Sequence, residues 1–212
     1  MWNIFDIRIC LWQFSTMKVR ESGMPEATYW HSFFDPPSLL KVLLPPIRSM
    51  RILEFGSGYG TFTLPLAELG HEVTALDIES ELVESLRGQA SSHGLPNLGA
   101  FTRDFVADGT GEPAKNFDHV LLYNILHIEE PVSLLQEALR ILKPGATASI
   151  IHWRRDIETP RGPSLAIRPN VEQCAAWGLG AGFSKAQPVS PGAAAPYHYG
   201  LILTKAHRDL GP

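Results

Sequence analysis

Ile52-Leu53-Glu54-Phe55-Gly56-Ser57-Gly58-Tyr59-Gly60 is the stretch that decides the fold. A short apolar run, Arg51–Phe55, reads as a buried strand and passes directly into three glycines spaced two apart. Apolar spacing over Thr61–Leu69 then predicts a helix, with Pro65 bending it or confining its start. Glycines at such a junction let the chain turn tightly and lie close to a ligand. The first N–H groups of the following helix are free to face polar or anionic atoms. A tight strand-to-helix turn that holds nothing has the same local pattern, so position and context must separate the two.

The next strand, Glu72–Leu76, delivers Asp77, which stands 21 residues beyond Gly56. A carboxylate there is placed to accept hydrogen bonds from both hydroxyls of a ribose. That arrangement serves NAD as well as an adenosyl cofactor. A dinucleotide fingerprint starting at Gly56 wants Gly or Ala at position 61, and Thr61 stands there instead. The adenosyl reading therefore ranks above NAD, which stays open.

Outward from this core the pattern alternates. Helix Ser80–His93 carries Leu82, Val83 and Leu86 along one side, and Gly94 can end it. Strands are expected at Leu98–Thr102, Phe117–Tyr123 and Thr147–His152, with an amphipathic helix Val132–Leu142 closing at Lys143-Pro144-Gly145. A helix over Asn170–Gly180 begins on a plausible cap at Asn170. Ser184–Pro188 and His198–Lys205 follow as two strands with no helix between them, which requires an antiparallel neighbour. Strands alternating with helices imply an α/β domain whose mostly parallel sheet is covered on both faces. We place it at residues 47–206, after an N-terminal extension and helical cap over 1–46 and before a tail at 207–212. In the cap, Ser38–Leu44 reads as one or two helical turns between two Pro-Pro pairs. Residues 1–16 are either sequence upstream of an original start at Met17 or a short apolar element packed on the domain.

Composition narrows the function. The chain has 212 residues, is 44% hydrophobic and carries a net charge of −4. No dense basic patch occurs, so nucleic acid is disfavoured as a partner. Two cysteines and eight histidines, without HExxH or CxxC spacing, lend no support to a metal. No apolar run reaches the ~18 residues of a membrane span, and the N-terminus makes a poor signal peptide. We expect a cytoplasmic protein acting on a small molecule, and leave its oligomeric state open.

From Arg51 to about Lys205 the chain resembles the class I S-adenosylmethionine-dependent methyltransferases. ILEFGSGYG is similar to the family's acid-x-Gly-x-Gly-x-Gly motif, FDHVLLYNILHIEEP (Phe117–Pro131) to its fourth-strand motif, and LKPGA (Leu142–Ala146) to its LKPGG turn. The resemblance implies a Rossmann-like sheet of seven strands in the order 3-2-1-4-5-7-6, strand seven antiparallel, and S-adenosyl-L-methionine as cofactor. Residue by residue it implies Gly56, Gly58 and Gly60 under the ligand and Glu54 near the methionine amino group. Asp77 would meet the ribose and Ile78 the adenine, with Asp104 on the adenine amino group and Phe105 flanking the ring. Glu54 for the commoner Asp, Ala146 for Gly and Pro65 in the first helix are departures that block none of this.

Ligands lie at the C-terminal ends of the strands in such sheets, which selects the residues near the reacting methyl group. Asn124 offers both a donor and an acceptor to the cofactor, or caps its own loop. His127 and His152 are the proton-transfer candidates, and packing or helix capping is the plain alternative for His127. Arg154 is a possible anion anchor or a solvated charge. Tyr197, and Tyr29 and His31 from the cap, are expected to line the acceptor pocket, unless the cap aromatics simply pack together.

Overall fold

The computed structural model describes residues 24–207. Met17, the segment upstream of it and the tail beyond 207 lie outside the described residues. The elements run α1 (Ala27–His31), α2 (Pro36–Leu43), β1 (Arg51–Phe55), α3 (Thr63–Glu68), β2 (Glu72–Asp77), α4 (Ser80–Ser92), β3 (Leu98–Thr102), α5 (Phe105–Asp108), β4 (Phe117–Tyr123), α6 (Pro131–Ile141), β5 (Leu142–Trp153), α7 (Val171–Ala181), β6 (Lys185–Val189) and β7 (His198–Thr204). One seven-stranded sheet has the expected order β3-β2-β1-β4-β5-β7-β6. Its first five strands pair in parallel, and β7 lies antiparallel to both β5 and β6.

Strand period two sorts the core. Ile52, Leu121, Tyr123 and Ile151 face one side, where they pack with Leu39, Leu40 and Leu43 of α2 and Leu66 of α3. Leu53, Phe55, Val120, Leu122 and Ile150 face the other, against Leu134, Leu135 and Ala138 of α6 and Cys174 of α7. Ala75 and Ala100 keep the strands shallow where Val83 and Leu86 of α4 settle on them. Both faces being covered explains why the strands read as continuous apolar runs. The cap helix α2 thus contributes directly to the sheet's own core.

Three of the departures from the sequence reading have a local physical reason or bear on the sheet, beside the short helices α1 and α5, which it did not anticipate. The helix expected from Thr61 begins at Thr63, because Pro65 fits only the first turn, where its missing N–H has no intrahelical partner to lose. The strand expected from Thr147 starts at Leu142: the LKPGA segment pairs with β4 through a register shift, and Gly145 (φ +79°) takes the left-handed step. The loop before β7 contains a 3-10 turn, Gly192–Ala194. Asn170 does cap α7, in a reciprocal box with Gln173.

Gly60 has φ +77°, and a Cβ there would lie 2.6 Å from Leu86 Cδ1. Replacing Gly60 with Ala should lower the unfolding free energy by ~1–3 kcal/mol through backbone strain and overpacking. Urea denaturation of the variant checks this, and an unchanged midpoint would refute it.

Candidate active site

A cleft of about 530 Å³ opens above the C-terminal ends of β1, β2, β4 and β5. It sits where the chain, having built β2 and β3 on one side of β1, crosses to build β4 on the other. Such a switch point leaves a crevice because the helices that follow β1 and β4 diverge to opposite faces.

One end is made by backbone. Gly56 (φ +71°) and Gly58 (φ +51°) both adopt left-handed conformations and line the cleft. The Gly58 N–H donates to Asp77 Oδ2 at 2.8 Å, and the Glu79 N–H to Asp77 Oδ1 at 3.0 Å. Burial nonetheless pushes the Asp77 carboxyl above its ordinary range, although these N–H groups pull it down. Ile78, Asp104 and Phe105 continue this wall. Asp104 also caps α5, accepting the Ala107 N–H at 3.0 Å, while the Phe105 ring stands edge-on to Phe55. Gly60, expected under the ligand, is instead turned into the packing between α3 and α4 and is absent from the lining.

Glu54 reaches the cleft from the sheet floor. It is 2% exposed, and its Oε2 accepts the Thr63 hydroxyl at the start of α3. Burial pushes this carboxyl up to about 8, against the pull of the Thr63 hydrogen bond. The group is therefore neutral in the free protein at neutral pH and ready to ionise beside a cation.

At the other end, Asn124 follows β4 with φ +57°. Its Nδ2 lies 3.3 Å from His198 Nε2, and its Oδ1 is buried without a partner. His127 lines the cleft and places Nδ1 3.3 Å from His152 Nε2. His152 itself is fully buried and forms no part of the wall. Strand alternation is the reason: Trp153, one residue on, faces the cleft, and His152 faces away toward Tyr199. Burial, more than its neighbour His127, drives His152 well below the usual imidazole range, and His127 is lowered by the same cause.

Four further candidates fall outside the lining. Successive residues on α1 point about 100° apart, so only Trp30 enters the cleft, its indole N–H donating to Thr61 Oγ1 at 3.1 Å. Tyr29 packs edge-on against Phe33, and His31 lies beside Tyr59. Arg154 is held at the surface by Asp156, 2.5 Å away. Tyr197 packs on the far side of Phe33.

The wall the sequence did not disclose is the loop after β5, which brings Arg161, Gly162, Pro163, Ser164 and Ile167 over the cleft. Arg168 organises it. Its guanidinium donates to the Pro163 carbonyl (2.7 Å), the Arg154 carbonyl (2.6 Å) and Thr159 Oγ1 (2.8 Å). Gly162 is required beneath it, since a Cβ would sit 2.6 Å from Arg168 Nη2. The only local signal was the cluster of Gly and Pro at 160–163. Met24 is another addition: its Sδ would lie 2.6 Å from a Cβ on Gly58, so the absent side chain there is what admits it.

Residues 52–145 match the family model described as a methyltransferase domain. Among curated relatives, a ubiquinone biosynthesis O-methyltransferase from Xanthomonas oryzae is 32% identical over 120 residues, 55% of this chain and 47% of that protein. A tRNA 5-carboxymethoxyuridine methyltransferase from Escherichia coli is 24% identical over 107 residues, 50% of this chain and 41% of its own length. The chain thus spans about half the length of the curated relatives it matches. Among solved structures, a SAM-dependent methyltransferase from Aquifex aeolicus superposes with a TM-score of 0.70 at 23% identity, over 91% of this chain and 99% of that one. The segment matched by the methyltransferase-domain model is a little under half of the chain, and with the ordered motifs, the strand order and a carboxylate-pinned glycine turn in one molecule the chain is similar to the class I S-adenosylmethionine-dependent methyltransferases and has their fold.

Proposed function

We propose that the protein transfers a methyl group from S-adenosyl-L-methionine to an O, N or C atom of a small molecule. The observation that carries this reading is the pairing of Asp77 with the Gly58 N–H at the mouth of the cleft, with Glu54 buried beside it. The polar groups suit the cofactor's parts. Asp77 spends one lone pair per oxygen on backbone N–H groups and retains acceptor capacity for two ribose hydroxyls. Glu54 offers the α-ammonium an acidic partner, and Ile78 and Phe105 offer the adenine apolar flanks. Asp104 remains the candidate for the adenine amino group. The unpartnered Oδ1 of Asn124 and Oγ of Ser57 are further buried groups that a polar ligand would satisfy.

When bound, the cofactor supplies an electrophilic methyl group on a sulfonium. The protein's task is then alignment and exclusion of water. Trp30, Phe62, Tyr123 and Trp153 wall the acceptor side. The Tyr123 hydroxyl is tied to Ser149 Oγ, and Ser149 to the buried His119, so this wall is rigid. A small acceptor is supported by the cations nearby. Arg103 is committed to the carbonyls of Asp108 and Gly109, and Arg168 to its own loop, an arrangement unlike a phosphate track.

Asp77→Ala should weaken S-adenosylhomocysteine binding by ~1–3 kcal/mol, read by titration calorimetry, with NADH as the control ligand. Unchanged affinity, or NADH binding in place of the adenosyl ligand, would overturn the assignment.

Glu54 gives a second expectation with a defined sign. The unfolded carboxyl titrates near 4.5 and the folded one near 8. Between those values the folded state holds a proton that the unfolded state has released, so stability falls as pH rises through this window. Glu54→Gln carries no such proton. The variant should match wild type near pH 4.5 and melt several degrees higher at pH 8.5, while binding S-adenosylhomocysteine at least ~10-fold more weakly. Parallel melting curves across the pH range would sink this account of Glu54.

A further inference from the structure

His127, after β4, and His152, within β5, share one hydrogen bond, and its direction decides what the cleft offers a ligand. A neutral imidazole has one N–H and one lone pair. The ring of His152 is fully buried, and its Nδ1 has no hydrogen-bond partner, side chain or backbone. The Trp153 main chain pulls on the ring without reaching hydrogen-bond geometry. A proton on Nδ1 would be an orphaned donor in the core, which folded proteins tolerate less than an unused lone pair. The one N–H of this ring is therefore at Nε2, where His127 Nδ1 lies 3.3 Å away and accepts it. With Nδ1 as the acceptor, the single N–H of neutral His127 stands on Nε2. A 6.2 Å stack on Tyr199, whose hydroxyl donates to the Pro169 carbonyl at 3.1 Å, fixes the His152 ring and with it the direction of the bond.

We infer that His127 is a hydrogen-bond donor of this cleft, its Nε2–H receiving a ring-conjugated oxyanion of the acceptor, a phenolate or enolate, with His152 as the residue that positions it. The inference rests on the methyl-transfer reading and narrows its acceptor. Neutral His127 spends its Nδ1 lone pair on His152 and carries a proton on Nε2, so no lone pair is left to take a proton from a substrate. It can only donate, and a donor favours the ionised form of an oxygen acid over the protonated one. The walls suit a flat anion. Trp30, Phe62, Tyr123 and Trp153 line the cleft. The Trp30 N–H is already engaged with Thr61 and the Tyr123 hydroxyl with Ser149, so these two residues offer the ligand ring surface. During transfer an electron pair of the anion forms the bond to the methyl carbon, and the pair of the breaking C–S bond returns to sulfur. The acceptor's proton has gone to water before binding, so no base is required, and the anion and the sulfonium both end neutral.

The bond's direction and the ligand class are tested separately. In protein carrying ¹⁵N-labelled histidine, the His152 Nε2–H proton should be visible at pH 7.5 and should correlate across the hydrogen bond with His127 Nδ1. An Nδ1–H proton on either ring overturns the inference. The ligand probe is 4-nitrophenol, whose phenol and phenolate forms differ in colour, titrated into the complex with S-adenosylhomocysteine. Wild type should bind it as the phenolate. His127→Phe should bind it at least ~10-fold more weakly. His152→Leu should weaken it similarly, whereas His152→Gln, whose amide N–H can donate to His127 Nδ1, should restore most of the affinity. Binding as the neutral phenol, no binding, or equal affinity in His127→Phe overturns the inference. The two wild-type measurements decide it even if a variant fails to fold. Wild-type protein with the expected histidine spectrum that binds no S-adenosylhomocysteine overturns instead the methyl-transfer reading on which the inference rests.

Discussion

The carboxylate of Asp77 ties two strand ends together, and the geometry of the cleft depends on that tie. The Leu76 carbonyl accepts the N–H groups of Gly56 and Ser57, at 2.8 and 3.0 Å, and the side chain of the next residue takes the N–H of Gly58. Three successive turns of the backbone after β1 are therefore referenced to the end of β2. Without a side chain at 56 or 58 the backbone can follow this path at positive φ. A ligand resting there meets a surface whose shape is set by main-chain hydrogen bonds, which move little.

This construction places two acids, Glu54 and Asp77, in one buried crevice, where burial makes both harder to ionise and the Asp77 charge adds to the cost at Glu54. Their responses differ for a physical reason. Asp77 has two N–H groups to stabilise its charge and Glu54 has one hydroxyl. The free protein thus carries a polarised pair, one acid more readily charged than the other. A ligand bearing a diol at one point and an ammonium at the next suits that asymmetry better than it suits two identical carboxylates.

The sheet was legible because its signals are local: apolar runs of four to seven residues, glycines at their ends, and helix faces such as Leu82, Val83 and Leu86. The full strand order came from the resemblance, through motifs in a fixed sequence, rather than from periodicity. The end of the cleft built on Gly56, Gly58 and Asp77 was similarly accessible, since these residues hold their places through strand ends. The opposite end was not. Whether Tyr29, Trp30 or His31 enters a cleft depends on the rotation of a five-residue helix, which no short sequence pattern sets. His152 and Trp153 exchange places if the strand is read one residue out of phase. The wall at 161–167 is held by Arg168, whose partners are mostly backbone carbonyls and leave no trace in residue identity.

That last feature bears on how such a protein diversifies. A guanidinium gripping carbonyl oxygens is indifferent to which side chains hang from the gripped residues. Ser164 and Ile167, which face the cavity, can be exchanged while the clasp, the β-sheet and the glycine turn after β1 stay as they are. The chemistry of this wall is in this way uncoupled from foldability: one side of the cleft is fixed by main-chain hydrogen bonds, and the other is a panel whose side chains carry little of the fold.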